Sequence, residues 1–430
     1  MSETEKFDAI IIGAGPAGIA CAYTLAKAGK EVLVIERADN PGGKNLTGGR
    51  LYTYALEMLE EGLSEEAALE RKVTHEQIMI LSEGRGTTID YFDSGFSPYE
   101  GPPQSYTVLR ARFDEWLAGK AEEVGANIVC GIRVDDVIEE AGKIKGIIAG
   151  DDEIYSDIVI AADGVNSFIA QRAGLIPDIP ASSVGVGVKE IIQLDTSVIE
   201  ERFHLQDGEG AARMILGCTE GLHGGGFLYT NIDTISLGLV LMPEEVAAAG
   251  KPVAELFQEF KNHPAIYPLI AGGSTVEYGA HLVSEDGYHG LPKKLYREGL
   301  LLVGDAAGFV INSGYSIRGI DLAILSGIAA ANGICASSDI AKAGPQYIKE
   351  MEKLNLLPTL KAASGYRDLL NIPRIYSNYP YLANDFLGNL FTVNGEVAAP
   401  MKKSLKALLK KHNISFWQLF KDGLRGYRAL

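Results

Sequence analysis

Gly13, Gly15 and Gly18 stand in a G-x-G-x-x-G spacing within residues 7–36, FDAIIIGAGPAGIACAYTLAKAGKEVLVIE. The chemistry this spacing serves is the cradling of phosphate. Gly13 permits a tight turn out of a strand, Gly15 lets a pyrophosphate approach the backbone, and Gly18 lets the following helix pack closely. The helix N-terminus then offers unpaired N–H groups and a dipole that favour an anion. Pro16 and Ala17, between the glycines, belong to the same candidate site. Glu36 ends the second apolar run, placed to accept hydrogen bonds from a ribose, with Arg37 beside it. A glycine triplet alone is a weak signal, but a complete strand–turn–helix–strand–acid unit is strong and predicts a bound dinucleotide.

Two more acids follow buried-looking runs. SDIVIAADGVNS places Asp163-Gly164 after one strand, and LLLVGDAAG places Gly304-Asp305 after another. In an open α/β sheet, ligands bind at such strand ends. Between the first two signatures lies VLRARFDEWL, with Arg110 and Arg112. No Ser/His/Asp or Cys/His nucleophile arrangement and no acid–base pair of carboxylates is recognisable, so no catalytic side chain is expected and the cofactor is expected to carry the reaction. Cys21, Cys130, Cys218 and Cys335 are far apart in sequence, and the seven histidines do not cluster. No metal site is expected from them.

The elements that must position these residues are legible in outline. At 430 residues, 47% hydrophobic and 22% charged, the chain suits two closely connected domains. A polar, irregular segment is expected up to about residue 106, then a helix from about 112 to 124 and a strand containing Ile128 and Val129. Alternating residues from about 184 to 242 predict an antiparallel sheet. A small-residue helix is expected from Ser316 to about Cys335, and mostly helices after it. The expected fold is α/β: a Rossmann-like domain formed by residues 1–180 with 290–340, an interleaved antiparallel sheet domain at 181–289, and a helical C-terminal region at 341–430.

The charge is uneven. Residues 401–430 hold eight Lys or Arg and one acid, a net +7, within a chain of net −17. The rest of the chain therefore carries −24, which argues against nucleic acid as a partner. Met401, Leu405, Leu408 and Leu409 fall on one helical face, and Trp417, Phe420 and Leu424 form a second apolar stripe with Lys421, Arg425 and Arg428 nearby. Such helices can lie in a lipid interface or pack on the protein body. No 18-residue apolar stretch predicts a membrane-crossing helix, and no signal-peptide pattern precedes residue 7.

The ordered trio of signatures resembles the FAD-binding flavoproteins of the glutathione reductase-2 type, which include aromatic hydroxylases, geranylgeranyl reductases and electron-transfer flavoprotein–quinone oxidoreductases. Within them the chain is most similar to the FixC proteins, through PGGKNLTGGRLY, SYTVLRARFDEWL, VGVGVKEIIQL, GGGFLYTN, HPAIYPLIAGG, GDAAGFVINSGYSIRGIDLAI and FWQLFKDGLRG. The resemblance implies FAD on Gly13, Gly15 and Gly18, with Glu36 at the adenosine ribose and Val134 by the adenine. It implies Arg110, helped by Arg112, at phosphate or ribitol, and Asp163 and Gly164 along the pyrophosphate. Asp305, after Gly304, is implied at the ribitol. Thr47, Gly48, Gly49, Gly308 and the segment 312–316, with Gly314, Tyr315 and Ser316, are implied beside the isoalloxazine, at the N-terminus of the helix expected from Ser316.

The same resemblance implies electron flow from a FixA/FixB-type electron-transfer flavoprotein to a membrane quinone, on the inner face of the cell membrane. The iron–sulfur cluster is implied on a separate FixX-type ferredoxin-like protein, because this chain lacks the cysteine-rich region of the larger single-chain enzymes. The competing reading on the same scaffold is a polyprenyl reductase.

Overall fold

The computed structural model describes residues 6–44, 49–95, 104–395, 397 and 399–429. Two large sheets organise it. In the first, of eight strands, Lys6–Ile12 lies at the centre, parallel to Val32–Ile35 on one side and Asp152–Ala161 on the other. Asn127–Val129 extends the first side, and Leu300–Leu302, then Tyr296–Arg297, extend the second. The hairpin of Asp136–Glu140 and Lys143–Ala149 hangs from Asp152–Ala161. The strand order reverses at Lys6–Ile12, so its C-terminal end is the switch point where an open sheet leaves a crevice. Ile10, Ile11, Val32, Val34, Val159 and Ile160 are fully buried. With their residues buried, these strands read as unbroken apolar runs.

The helix Pro16–Lys27 starts directly after the glycine turn. It packs beside the helix Ile320–Cys335, and they approach closely: a Cβ on Gly327 would fall 2.2 Å from the Ala17 carbonyl oxygen. Small residues on both helices permit that spacing. Tyr347, on the helix Ala343–Lys353, is wholly buried and donates its hydroxyl to the Leu302 carbonyl at 2.8 Å. Without that acceptor the buried hydroxyl would cost about 1–3 kcal/mol.

The second sheet has nine strands. Its order runs Ser274–Ser284, Val184–Gln193, Thr234–Leu241, Gly224–Thr230, Glu209–Leu216, Lys72–Ser82, Ser105–Val108, Gly49–Tyr52, with Arg85–Phe92 also paired to Lys72–Ser82. The segment expected to be irregular up to about residue 106 therefore supplies two whole strands, Lys72–Ser82 and Arg85–Phe92, and the start of Ser105–Val108. Its polar residues misled the pattern because they are paired within the sheet. Glu76 receives the buried Arg50 guanidinium, with Nη1 at 2.8 Å from Oε2, and the Gln77 Oε1 accepts from Arg213 Nε at 2.7 Å. Glu209–Leu216 also runs parallel to Lys72–Ser82, so the sheet is mixed rather than wholly antiparallel. On its outer face Val188, Ile192, Leu228, Ile235, Leu237 and Leu239 pack with Leu256, Phe257 and Phe260 of the helix Val253–Asn262.

After residue 340 the chain is helical, ending in Asn378–Phe391, Met401–Lys411 and Phe416–Ala429. The two tail stripes have different fates. Leu408 and Leu409 are buried in a small cluster with Leu382 and Ile414, and Leu405 packs against it. Trp417 is 70% exposed and Phe420 53% exposed, and the two rings stack on each other. No helix among the described residues is long and apolar enough to cross a membrane.

Candidate functional site

A cavity of about 630 Å³ lies between the sheets, at the C-terminal ends of the parallel strands. Its floor is the glycine turn. Gly13 adopts φ 105°, and a Cβ there would fall 2.4 Å from the Ala162 carbonyl oxygen. A Cβ on Gly18 would fall 2.1 Å from the Gly13 carbonyl oxygen. Gly15 differs: a Cβ there meets only Arg110 Nη2, at 3.8 Å. Gly13 and Gly18 are thus glycines for the protein's own packing, while Gly15 borders open space. Gly13, Gly15, Pro16 and Ala17 line the cavity, and Gly18 sits behind them.

Glu36 is held at the wall by two backbone donors, Ala14 N–H to Oε2 at 2.9 Å and Ala38 N–H to Oε1 at 2.8 Å, and Arg37 lines the cavity next to it. A carboxylate fixed in this way keeps lone pairs free for a further donor. Arg110 opens the helix Arg110–Glu123 and forks onto the fully buried Asp114, Nε to Oδ1 at 2.7 Å and Nη2 to Oδ2 at 2.6 Å. Burial opposes the Arg110 charge, but the Asp114 charge and hydrogen bonds outweigh it and raise its pKa. The Arg110 side chain is thereby set in place and stays charged. Arg112 turns away from the cavity, to Glu70 at 3.2 Å.

Asp163 spends Oδ2 on the Ile169 N–H at 3.0 Å, whereas its Oδ1 is buried with no partner among the described residues. Burial raises the pKa of Asp163 and of Asp305, which Arg110 partly offsets at Asp305. Val134, Gly164, Asp305 and Gly49 also line the cavity.

Other expected residues are elsewhere. Thr47 and Gly48 lie outside the described residues. Gly304 is buried against Ala17, its N–H given to Ser326 Oγ at 2.8 Å. Gly308 caps the short turn Gly304–Ala307 away from the cavity. Ile311–Asn312 pairs with Ile317–Arg318, so residues 313–316 are the turn of a small ladder, and the helix expected from Ser316 begins at Ile320. In that turn Tyr315 is exposed, whereas Ser313 and Ser316 are buried. Gly314 abuts Leu370, the Tyr315 hydroxyl meets that of Tyr366 at 2.7 Å, and Ser316 Oγ meets the Tyr52 hydroxyl at 2.7 Å. Ile317, Gly319, Ile320 and Ala323 take their place on the wall.

Sequence reading missed the opposite wall. The second sheet contributes Gly187, Lys189, Phe227, Tyr229, Val240 and His281, and Lys44, Arg50, Arg133 and Arg172 also border the cavity. The signal for Gly187 and Lys189 was present in the alternation of VGVGVK, which puts both on one strand face. In total seven Lys or Arg and four Asp or Glu line the cavity. A site with excess positive charge in a chain of net −17 suits an anionic ligand. The volume, the open approach over Gly15, the charge and the free Asp163 oxygen fit a dinucleotide such as FAD.

This fold and site define an FAD-dependent oxidoreductase, and the comparisons agree. Residues 6–205 match the model of an FAD binding domain, residues 184–283 the ETF-QO ubiquinone-binding model, and residues 367–430 the ETF-QO/FixC family C-terminal domain. The chain is 44% identical over 434 residues to Protein FixC of Salmonella typhi, covering 100% of both. It is 43% identical over 431 residues to a probable electron transfer flavoprotein-quinone oxidoreductase of Escherichia coli (strain K12), covering 99% of both. The chain belongs to the ETF-QO/FixC family. Among solved structures, a geranylgeranyl bacteriochlorophyll reductase-like protein from Thermoplasma acidophilum shares the fold, with a TM-score of 0.71 at 21% identity over 95% of this chain and 99% of that one.

Proposed function

We propose that the chain carries FAD and passes electrons from a FixA/FixB-type electron-transfer flavoprotein, by way of a FixX-type ferredoxin-like protein, to a membrane quinone. The observation that carries this reading is the shared cavity. Residues of the segment matching the ubiquinone-binding model, Gly187, Lys189, Val240 and His281, border the same space as Gly15. Bound FAD would supply the redox chemistry, accepting and releasing electrons. This chain's own residues would bind, orient and exclude water. Gly15, Pro16 and Ala17 would leave the pyrophosphate its approach, Glu36 would hold the ribose, and Asp163 and Asp305 would accept from hydroxyls. Phe227 and Tyr229 would shield the cavity from the sheet side. The reading divides the chain into a discontinuous nucleotide-binding unit, a sheet unit that also takes in strands between residues 49 and 108, and a C-terminal helical region.

The reading also sets the protein against the inner face of the membrane. Phe416, Trp417, Phe420 and Tyr427 are all more than half exposed on the last helix, in a tail of net +7. An amphipathic helix of this kind can bury its apolar face in an anionic lipid interface. Anaerobic absorbance of the photoreduced protein tests the function. Rapid flavin reoxidation by a menaquinone analogue, with no bleaching by NADH or NADPH, is expected. Bleaching by NADPH with no response to the quinone would overturn the reading and turn attention to a polyprenyl reductase.

A further inference from the structure

Lys189 lines the cavity in surroundings that leave its ammonium bare. It stands on Val184–Gln193 facing the cavity, and its cross-strand neighbours on both sides are glycines, Gly238 and Gly279. Gly187, two residues along the same face, is a third. The ring of Phe227 lies across Gly238, where a Cβ would fall 2.3 Å from it. Its directly opposite neighbours therefore offer no side chain to the ammonium, and Lys189 has neither a hydrogen bond nor a salt bridge among the described residues. The charged groups that act on it are Arg110, which repels it, and Glu277, opposite Ile191 on the same face, which attracts it. The Gly15 turn and Arg110 line the same cavity, and Arg110 Nη2 is 3.8 Å from the Cβ position of Gly15.

An ammonium with no salt bridge, in the same cavity as a glycine turn at a helix N-terminus, calls for negative charge there. We infer that Lys189 binds the pyrophosphate of the cofactor from the side of the second sheet, so that the phosphates clasp the two sheets together. The inference rests on the FAD reading above and assigns to the second sheet a role in holding the cofactor. Burial, with help from Arg110, pushes the free Lys189 ammonium down to about 8. An arriving phosphate raises it again, so binding takes up a proton near that pH. Arg110, whose pKa is raised by Asp114, stays charged in that range, and His281, held near 4 by burial, Lys189, Arg110 and Arg37, stays neutral.

The test uses the full-length chain freed of flavin, with ADP and adenosine as probes in calorimetric titrations. Lys189→Met is expected to weaken ADP by about tenfold or more, the loss of a charge-assisted hydrogen bond, and to leave adenosine unchanged. Lys189→Arg is expected to retain most of the ADP affinity. Unchanged ADP binding in Lys189→Met overturns the inference, as does a change confined to the flavin midpoint potential, which would put Lys189 at the ring. Should Lys189→Met fail to fold, the wild-type chain decides. Its ADP affinity is expected to fall by up to about tenfold per pH unit above 8, and a flat profile from about pH 7 to 9.5 overturns the clasp. Failure of the wild-type chain to bind FAD would remove the functional reading itself. Tight FAD binding by both wild type and Lys189→Met would remove only the clasp.

Discussion

Gly15 and Gly18 belong to one motif, yet the structure predicts opposite consequences for substituting them. Gly15 has φ −80° and ψ 176°, an ordinary extended conformation, and a Cβ there meets only Arg110 Nη2 at 3.8 Å. Gly15→Ala should therefore fold normally and gain about 0.4–1 kcal/mol by restricting the unfolded chain. Gly15→Val, whose methyls project into the cavity, should fold as well. Both occupy the pyrophosphate's approach and push it off the N–H groups at the start of Pro16–Lys27. Charge-assisted hydrogen bonds contribute about 1.5–3 kcal/mol each, so losing two weakens FAD by roughly 10²–10⁴-fold. Gly18→Ala instead puts a methyl 2.1 Å from the Gly13 carbonyl oxygen and 3.1 Å from Ile11 Cγ2, so the helix must shift and stability falls. Thermal melts of the flavin-free chains, with flavin-fluorescence titrations, separate the two effects. FAD binding by Gly15→Val within a few-fold of wild type would refute the placement of the pyrophosphate. A Gly15→Ala chain that melts as low as Gly18→Ala would refute the distinction between ligand space and packing space.

Removing residues 401–430 should release the protein from anionic vesicles if the exposed Trp417 face enters lipid, and unchanged co-sedimentation would reject that role. The last helix is tied down by Asp422, which accepts from Arg374 at 2.6 and 2.9 Å and from the Tyr379 hydroxyl at 2.5 Å. The Arg374 hydrogen bond, against some burial, holds Asp422 below its usual carboxylate range, so its contribution is present above about pH 4 and disappears as pH falls through the lowered value. Trp417 fluorescence should report loosening of this helix under acid, and Asp422→Asn should show the same loosening at pH 7. Glu285 has the opposite sign, since burial pushes it up to about 7 although Asn312 donates to it at 3.0 Å. The folded state then holds a proton that the unfolded chain releases, so Glu285 costs stability as pH rises from about 4.5 through 7. Glu285→Gln should raise the melting temperature at pH 8 and leave it nearly unchanged at pH 5.

How much was legible follows from where each interaction is made. The turn at Gly13–Gly15–Gly18, the acid at Glu36 and the strand-end acids Asp163 and Asp305 depend on neighbours close in sequence or on the strand just before them, and they read directly from the chain. The parallel strands are buried on both faces and declare themselves as apolar runs. Arg112 was ambiguous because it sits two residues from Arg110 at a helix start, and only packing shows that one faces the cavity while the other reaches Glu70. The strand Lys72–Ser82 was hidden because His75, Glu76 and Gln77 have partners distant in the chain, Asp90, Arg50 and Arg213. Period-based reading takes such polarity for loop.

By itself the sequence determined the class of ligand, the nucleotide half of the fold and the family. A phosphate-binding turn is local backbone geometry, and glycine is required wherever a Cβ would collide. Tertiary structure alone decided the opposite wall. Lys189 and His281 come from strands almost a hundred residues apart that pair directly, with Gly187 opposite His281. The Lys189 charge on that wall therefore reaches the cavity only once the second sheet has assembled, because a long-range strand register, not any local pattern, brings those side chains to one face.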